Sequence, residues 1–142
     1  MKIILTTRKN NPPAFIFFKE QFKKALMLPS EKKISIDISY NPKEIKYVAY
    51  DVVLFMSYDE ATNEAKKQNP KILTGIIDPR ASHKNSFKYT DFLIVNGIES
   101  RDYFSKFVDN IFIYHLQFLV SHKKKLPIKN NKKIILGYHG NK

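Results

Sequence analysis

The sequence predicts an α/β domain built on a Rossmann-like parallel sheet of about six strands, with helices on both faces. Short apolar runs alternate with helical segments along most of the 142 residues. Most of these runs are almost continuously apolar, as expected for strands that are buried on both faces. Hydrophobic residues make up 43% of the chain and aromatic residues 13%, so the chain can bury a sizeable core.

The first part of the chain supplies three of the predicted strands. The run KIILTT at 2–7 is continuously apolar at its start, which predicts a central strand. Residues 13–27 place phenylalanines at intervals of three and four, which is the spacing of one helix face. Isoleucines alternate with polar residues over 32–39 and predict a strand near the sheet edge. A short helical turn at 41–47 and a buried strand at 51–57 follow.

The second part of the chain repeats the pattern. A polar helix, for which Asp59 is a suitable N-cap, follows the third strand, and a helix with Ser100 as its N-cap follows the fifth. The phenylalanines and tyrosine of that second helix, at 103, 104 and 107, share one face. The three remaining strands are predicted at 71–77, 91–97 and 110–118.

Composition narrows the function classes. The chain carries 25 Lys and Arg against 13 Asp and Glu, a formal net charge of +12. Such a surface attracts nucleic acid, an anionic membrane leaflet or phosphorylated small molecules, although a lysine-rich composition explains the charge equally well. There is no cysteine, and the four histidines show no metal-ligand spacing, so we expect no metal site. No signal peptide or membrane span is evident, which predicts a cytoplasmic protein.

The loops after the strands exclude three common nucleotide-dependent classes. A dinucleotide-binding domain needs closely spaced glycines after its first strand, and this chain has Thr6-Thr7-Arg8-Lys9 there. The phosphate-binding pattern GxxxxGK[ST] is also missing. A phosphate-accepting receiver domain needs an aspartate at the end of its third strand, where this sequence has Met56-Ser57.

Two stretches resemble a known enzyme family. GIIDPRASHKNSFKYTDFLIVNGIESRDYFSKFVDNIFIYHL and the final KKIILGYHGNK are similar to the amino-terminal half of glycosyltransferases with the GT-B architecture. The resemblance implies an acceptor-side domain over 1–120, a basic linker over 121–133, and the start of a missing second domain at 134–142. In the alternative interpretation, residues 134–142 form the last strand of the same domain. The loop TTRKNNPP departs from the glycine-rich first loop of many family members.

The resemblance also implies roles for loop residues at the carboxyl ends of the strands. Glycosyl transfer needs a base for the acceptor hydroxyl, and Asp78 or His83 would serve as that base. Arg80 would bind an anionic acceptor. The other acceptor-side residues would be Thr7, Arg8, Asn96 and Gly97. Ordinary turn chemistry is the alternative, because Asp78 before Pro79 is a common turn and His83 can simply be exposed.

The donor would be bound mainly by the missing half. The resemblance implies a nucleotide-sugar donor as cosubstrate, whose diphosphate would lie against Gly137, His139, Gly140 and Asn141. A sugar or lipid-linked acceptor and the missing carboxyl-terminal domain would be the partners. A lipid-linked acceptor would place the protein at the inner face of an anionic membrane. The alternative function is a small basic α/β module that binds RNA or another anionic partner.

Overall fold

The computed structural model describes residues 1–7, 19–21, 24, 33–56, 61–80 and 84–114. These residues contain six strands: β1 (Lys2–Thr7), β2 (Ser35–Ser39), β3 (Val52–Met56), β4 (Leu73–Ile77), β5 (Phe92–Val95) and β6 (Ile111–Ile113). All pair in parallel in one sheet with the order β2-β1-β3-β4-β5-β6. The predicted fold class is therefore confirmed.

Three α-helices have bounds within the described residues: α1 (Thr62–Gln68), α2 (Lys84–Phe87) and α3 (Ile98–Phe104). Two 3-10 turns, Pro42–Glu44 and Tyr47–Ala49, connect β2 to β3. The N-cap predicted for α3 was wrong. The helix begins two residues before Ser100, with Gly97 at its N-cap and no side-chain cap, and the Ser100 hydroxyl donates to Asn96 Oδ1 at 3.1 Å.

The strand order gives the sheet one switch point. The chain passes from β1 outward to β2, returns to β3 on the other side of β1, and then proceeds stepwise to β6. The neighbouring strands β1 and β3 are therefore followed in the chain by strands on opposite sides of them, β2 and β4. In doubly wound sheets, ligands bind outside the carboxyl ends of the strands, at such a point.

The first face of the sheet carries the larger hydrophobic core. It joins strand residues such as Val53, Phe55 and Leu93 to Ala65 of α1 and Phe104 of α3. Alternation along each strand sends these side chains to one face and their sequence neighbours to the other. The second face buries Leu5, Val52, Leu54, Met56 and Ile77 in a separate cluster.

Two predictions about the sheet edges had different outcomes. The alternating segment predicted at an edge forms β2, which is indeed an edge strand. The sixth strand was predicted over 110–118, but β6 ends at Ile113. No helix within the described ranges is long and apolar enough to cross a membrane.

Candidate functional site

The carboxyl edge of the sheet brings several predicted site residues to one end of the molecule. Thr7 is the last residue of β1, Asp78 directly follows β4, and Asn96 directly follows β5. Thr7 is in register with Met56, and Met56 with Ile77, so one strand separates Thr7 from the strand that carries Asp78. At about 4.8 Å between neighbouring strands, β1 and β4 lie roughly 10 Å apart.

Asp78 has the most unusual backbone of this edge. Its φ of 52° lies in the left-handed region, and no other described residue, glycine included, has a positive φ. Aspartate is one of the few residues that visit this region, because its short polar side chain limits the steric cost. Two contacts fix the turn: the Asp78 amide donates to the Ile94 carbonyl at 3.0 Å, and Pro79 is buried. The backbone on both sides of the Asp78 Cα is therefore held against the fold.

The Asp78 carboxylate has no structural partner among the described residues. The residue is half-buried, and its side chain makes no hydrogen bond or ion pair with any residue in the described part of the chain. Its oxygens are therefore available as hydrogen-bond acceptors at the carboxyl edge. A carboxylate in that position can accept a proton or orient a hydroxyl group.

Asn96 and Gly97 form the neighbouring part of the edge. The Asn96 side chain is exposed, and its Oδ1 accepts the Ser100 hydroxyl, which fixes the carboxamide orientation. A Cβ atom built on Gly97 would meet no atom within 4 Å. The backbone of Gly97 is extended, with φ −172°, so any residue could adopt it. Open space, rather than backbone conformation, distinguishes this glycine.

Thr7 lies at the carboxyl edge, but its side chain contributes to the packing and hydrogen bonding of the sheet. It is fully buried, and its hydroxyl donates to the Met56 carbonyl of the adjacent strand at 2.9 Å. A substrate contact through Thr7 stays a prediction. The preceding residue, Thr6, is equally buried, but its hydroxyl has no hydrogen-bond partner within the described chain. No role was predicted for Thr6, because nothing in the run KIILTT distinguishes the two hydroxyl groups.

Of the remaining predicted site residues, only Arg80 lies in the described part of the chain. Arg80 is exposed two residues beyond Asp78, so it lies next to the same turn. The others lie outside the described residues: Arg8, His83, Gly137, His139, Gly140 and Asn141. Across the ranges that the structure covers, no three or more His, Asp or Glu residues are grouped so that they could hold a metal ion.

The electrostatics of the opposite edge are quite different. Asp91, just before β5, receives the Lys66 ammonium at 2.6 Å and the Thr74 amide at 2.7 Å. Burial alone would raise the pKa of Asp91, but the hydrogen bonds from Lys66 and Thr74 outweigh it and hold the pKa below its ordinary value. This cluster was not predicted from the sequence, because its members are far apart in the chain.

Known proteins add nothing to the geometry. The chain matches no family model, no curated protein and no solved structure.

Proposed function

We propose that the chain is the acceptor-side domain of a sugar transferase of GT-B architecture, and that it binds the hydroxyl-bearing acceptor at the carboxyl edge of its sheet. One observation carries the proposal: the Asp78 carboxylate is held there by a left-handed turn and is used by no described neighbour. Residues held in sparsely populated backbone conformations cost about 1–3 kcal/mol and are concentrated at functional sites.

The chemistry of Asp78 suits an acceptor hydroxyl. A general base must lie within hydrogen-bond reach of the proton that it removes, and its lone pairs must not be occupied by the protein itself. Asp78 meets the second condition. The Asn96 carboxamide, with its oxygen engaged by Ser100, still has its nitrogen available as a donor to a second hydroxyl. The open space beside Gly97 leaves room for a sugar ring.

The donor side of the proposal involves residues outside the described part. A nucleotide-sugar would be bound chiefly by a second domain, with Gly137, His139, Gly140 and Asn141 in its first loop. His83 is the alternative base, and Arg8 and Arg80 would contribute positive charge near the acceptor. The enzyme would act in the cytoplasm, at the inner face of the membrane when its acceptor is lipid-linked.

A second candidate function follows from the charge distribution. Residues 115–142 contain seven lysines and no acidic residue, so they supply +7 of the formal net charge of +12. Concentrated positive charge of this kind binds nucleic acid and anionic membranes with strong salt dependence. Under this alternative, the chain is a basic module for RNA or another anionic partner.

The acceptor site can be tested by NMR titration of the isotope-labelled chain. The probes are methyl glycosides of common hexoses and N-acetylhexosamines. We expect millimolar binding by at least one of them, with the largest amide shifts at Asp78, Asn96 and Gly97. Asp78→Asn should weaken that binding at least about tenfold, because the carboxylate is the stronger acceptor, while unfolding free energy changes by less than about 0.5 kcal/mol.

Asp109→Asn is the matched control. Like Asp78, Asp109 has no partner among described residues, but it is exposed and lies before β6, at the opposite edge. We expect glycoside binding by this variant to be unchanged. Equal loss in both variants, or no glycoside shifts at the carboxyl edge, would contradict the acceptor role. Binding of a single-stranded RNA oligonucleotide that weakens steeply with salt would then favour the second candidate.

A further inference from the structure

The chain contains a single Asn-Gly pair, Asn96-Gly97, and it lies in the turn between β5 and α3. An asparagine side chain can react with the backbone nitrogen of the next residue, and glycine gives that nitrogen the least steric hindrance because it has no Cβ. A fold blocks this reaction where it holds the peptide by hydrogen bonds or packs against the glycine, because the reacting atoms must rotate to meet.

The peptide bond between Asn96 and Gly97 has no hydrogen-bond partner among the described residues. The Gly97 N–H donates to none of them, and the Asn96 carbonyl accepts from none. The strand ladder ends one residue earlier, where the Val95 carbonyl accepts the Tyr114 amide at 2.7 Å. The helical bonds begin one group later, where the Gly97 carbonyl accepts the Arg101 amide at 3.1 Å. This peptide can therefore rotate without breaking a hydrogen bond to the described part of the chain.

The surroundings of the pair are open. The Asn96 side chain is exposed, and a Cβ atom built on Gly97 would meet no atom within 4 Å. The helix that follows has seven residues and begins at Gly97 without a side-chain cap. A short helix without such a cap opens at its start at low cost. The Asn96 carboxamide and the Gly97 nitrogen are therefore able to approach each other in the folded chain.

The Ser100 hydroxyl is placed to assist the reaction. It donates to Asn96 Oδ1 at 3.1 Å from the first turn of α3. When the Gly97 nitrogen attacks the Asn96 Cγ, negative charge develops on Oδ1. A hydrogen-bond donor aimed at an oxygen that gains charge lowers the barrier to such an attack.

We propose that Asn96 is a site of spontaneous modification, at which the folded chain converts asparagine to aspartate and isoaspartate. The Gly97 nitrogen loses its proton to hydroxide and forms a bond to the Asn96 Cγ. The bond from Cγ to Nδ2 breaks, and Nδ2 takes up a proton and leaves as ammonia. Water then opens the five-membered succinimide that remains. Attack of water on Cγ gives aspartate, and attack on the main-chain carbonyl carbon gives isoaspartate.

Both products change the carboxyl edge of the sheet. Aspartate at position 96 adds a negative charge to the edge that carries Asp78, and it removes the Nδ2 donor. Isoaspartate also lengthens the backbone by one carbon atom between β5 and α3. The modification requires water and no acceptor, so it is independent of the proposed function.

Mass spectrometry of the folded chain after incubation can test the proposal, because trypsin isolates the site. Cleavage after lysine and arginine gives the peptides 89–101 and 107–123, in which Asn96 and Asn110 are the only asparagines. Peptide 89–101 should accumulate both products, and faster at pH 8 than at pH 6, because the attacking nitrogen must lose its proton. Asn110 is the internal control: it is exposed, but the β-branched Ile111 follows it, so it should stay asparagine over the same period.

Two variants and a synthetic peptide 89–101 test the role of the structure. Gly97→Ala should slow the conversion at least about tenfold, because its Cβ crowds the attacking nitrogen. Ser100→Ala should slow it about threefold in the folded chain, where a hydrogen bond to Oδ1 is lost. In the synthetic peptide, where no helix positions Ser100, the same substitution should leave the rate unchanged. The natural folded chain should convert no more slowly than the peptide.

Three results would contradict the proposal. Conversion of the folded chain at least about tenfold slower than that of the peptide would overturn it, because the fold would then protect Asn96. Aspartate without isoaspartate would overturn the succinimide route, since direct hydrolysis gives aspartate alone. Equal rates for the folded natural chain and folded Ser100→Ala would overturn the part assigned to the Ser100 hydroxyl.

Discussion

The two edges of the sheet use similar polar residues in opposite ways. Asp51, Asp91 and Asn110 directly precede β3, β5 and β6, and each binds a neighbouring segment. Asp51 accepts the Lys2 amide at 2.6 Å, and Asn110 donates to the Asp91 carbonyl at 3.1 Å. At the carboxyl edge, Asp78 and Asn96 directly follow β4 and β5, and neither side chain connects one strand to another.

Under the proposed function, the amino edge stabilises the fold and the carboxyl edge binds the acceptor. At the amino edge, hydrogen bonds between residues distant in sequence hold the strands in register. The polar groups there are therefore already hydrogen-bonded within the protein. At the carboxyl edge, the strands pair without hydrogen bonds from the Asp78 and Asn96 side chains. The Asp78 carboxylate is then free of a structural task, which is why a change there should alter binding before it alters stability. Variants of the two edges can test this contrast directly.

The largest loss of unfolding free energy should come from Asp91→Asn. The substitution removes the charge that receives Lys66 and weakens the acceptor for the Thr74 amide, so we expect a loss of about 2 kcal/mol in unfolding free energy at pH 7. Because the folded pKa of Asp91 is lowered, its contribution is present above the unfolded value, near 4, and is lost as pH falls through the folded value. Urea unfolding measured from pH 7 to pH 3 checks both points.

The same experiment includes its own control. Asp109→Asn removes an exposed acid from the same edge, and its cost should stay below about 0.5 kcal/mol at every pH. The difference between the natural chain and Asp91→Asn should shrink below about pH 4. A difference that persists unchanged to pH 3 would mean that the carboxylate charge is not what stabilises the amino edge.

Much of the fold could be predicted from the sequence because parallel strands carry a local signal. Almost continuously apolar runs located β3 and β4 within two residues at each end, and alternation placed β2 at an edge. β6 was predicted five residues too long at its carboxyl end, because the apolar run continues past Ile113 and a strand's end depends on its neighbour. The start of α3 was missed since side-chain capping is a weak preference, and this helix begins at Gly97 without it.

The candidate site was predictable only in outline. Strand direction alone determines that Asp78 and Asn96 lie at the same edge, so their position could be inferred from the sequence. The left-handed backbone of Asp78 could not, because a residue before proline ordinarily takes an extended conformation. The cluster around Asp91 depends on the register of β4 against β5, and no local pattern encodes that register.

Alanine substitutions at the two described glycines should have different, intermediate costs in stability. Gly75→Ala places a methyl group against the Phe92 ring, which must move outward, and we expect a loss of about 1–2 kcal/mol. Gly97→Ala, at the carboxyl edge, enters open space with a backbone that alanine adopts, so its cost should stay below about 0.5 kcal/mol. Thermal unfolding of both variants is the measurement. Equal losses would show that the carboxyl edge is packed as tightly as the sheet interior.

The smallest effect concerns Thr6 and Thr7, adjacent residues that are both fully buried at the end of β1. Thr7 is the exception at the carboxyl edge, because its hydroxyl ties β1 to the Met56 carbonyl of β3. Thr7→Val keeps the shape of the side chain but loses this bond, which should cost about 1 kcal/mol. Thr6→Val removes a buried hydroxyl that has no partner in the described chain, so stability should stay the same or rise by about 0.5 kcal/mol.

Urea midpoints with unchanged slopes would report the difference between these shape-matched variants. A loss for Thr6→Val as large as that for Thr7→Val would show that the Thr6 hydroxyl is bound as well, by a buried water molecule or by a ligand at the switch point between β1 and β3.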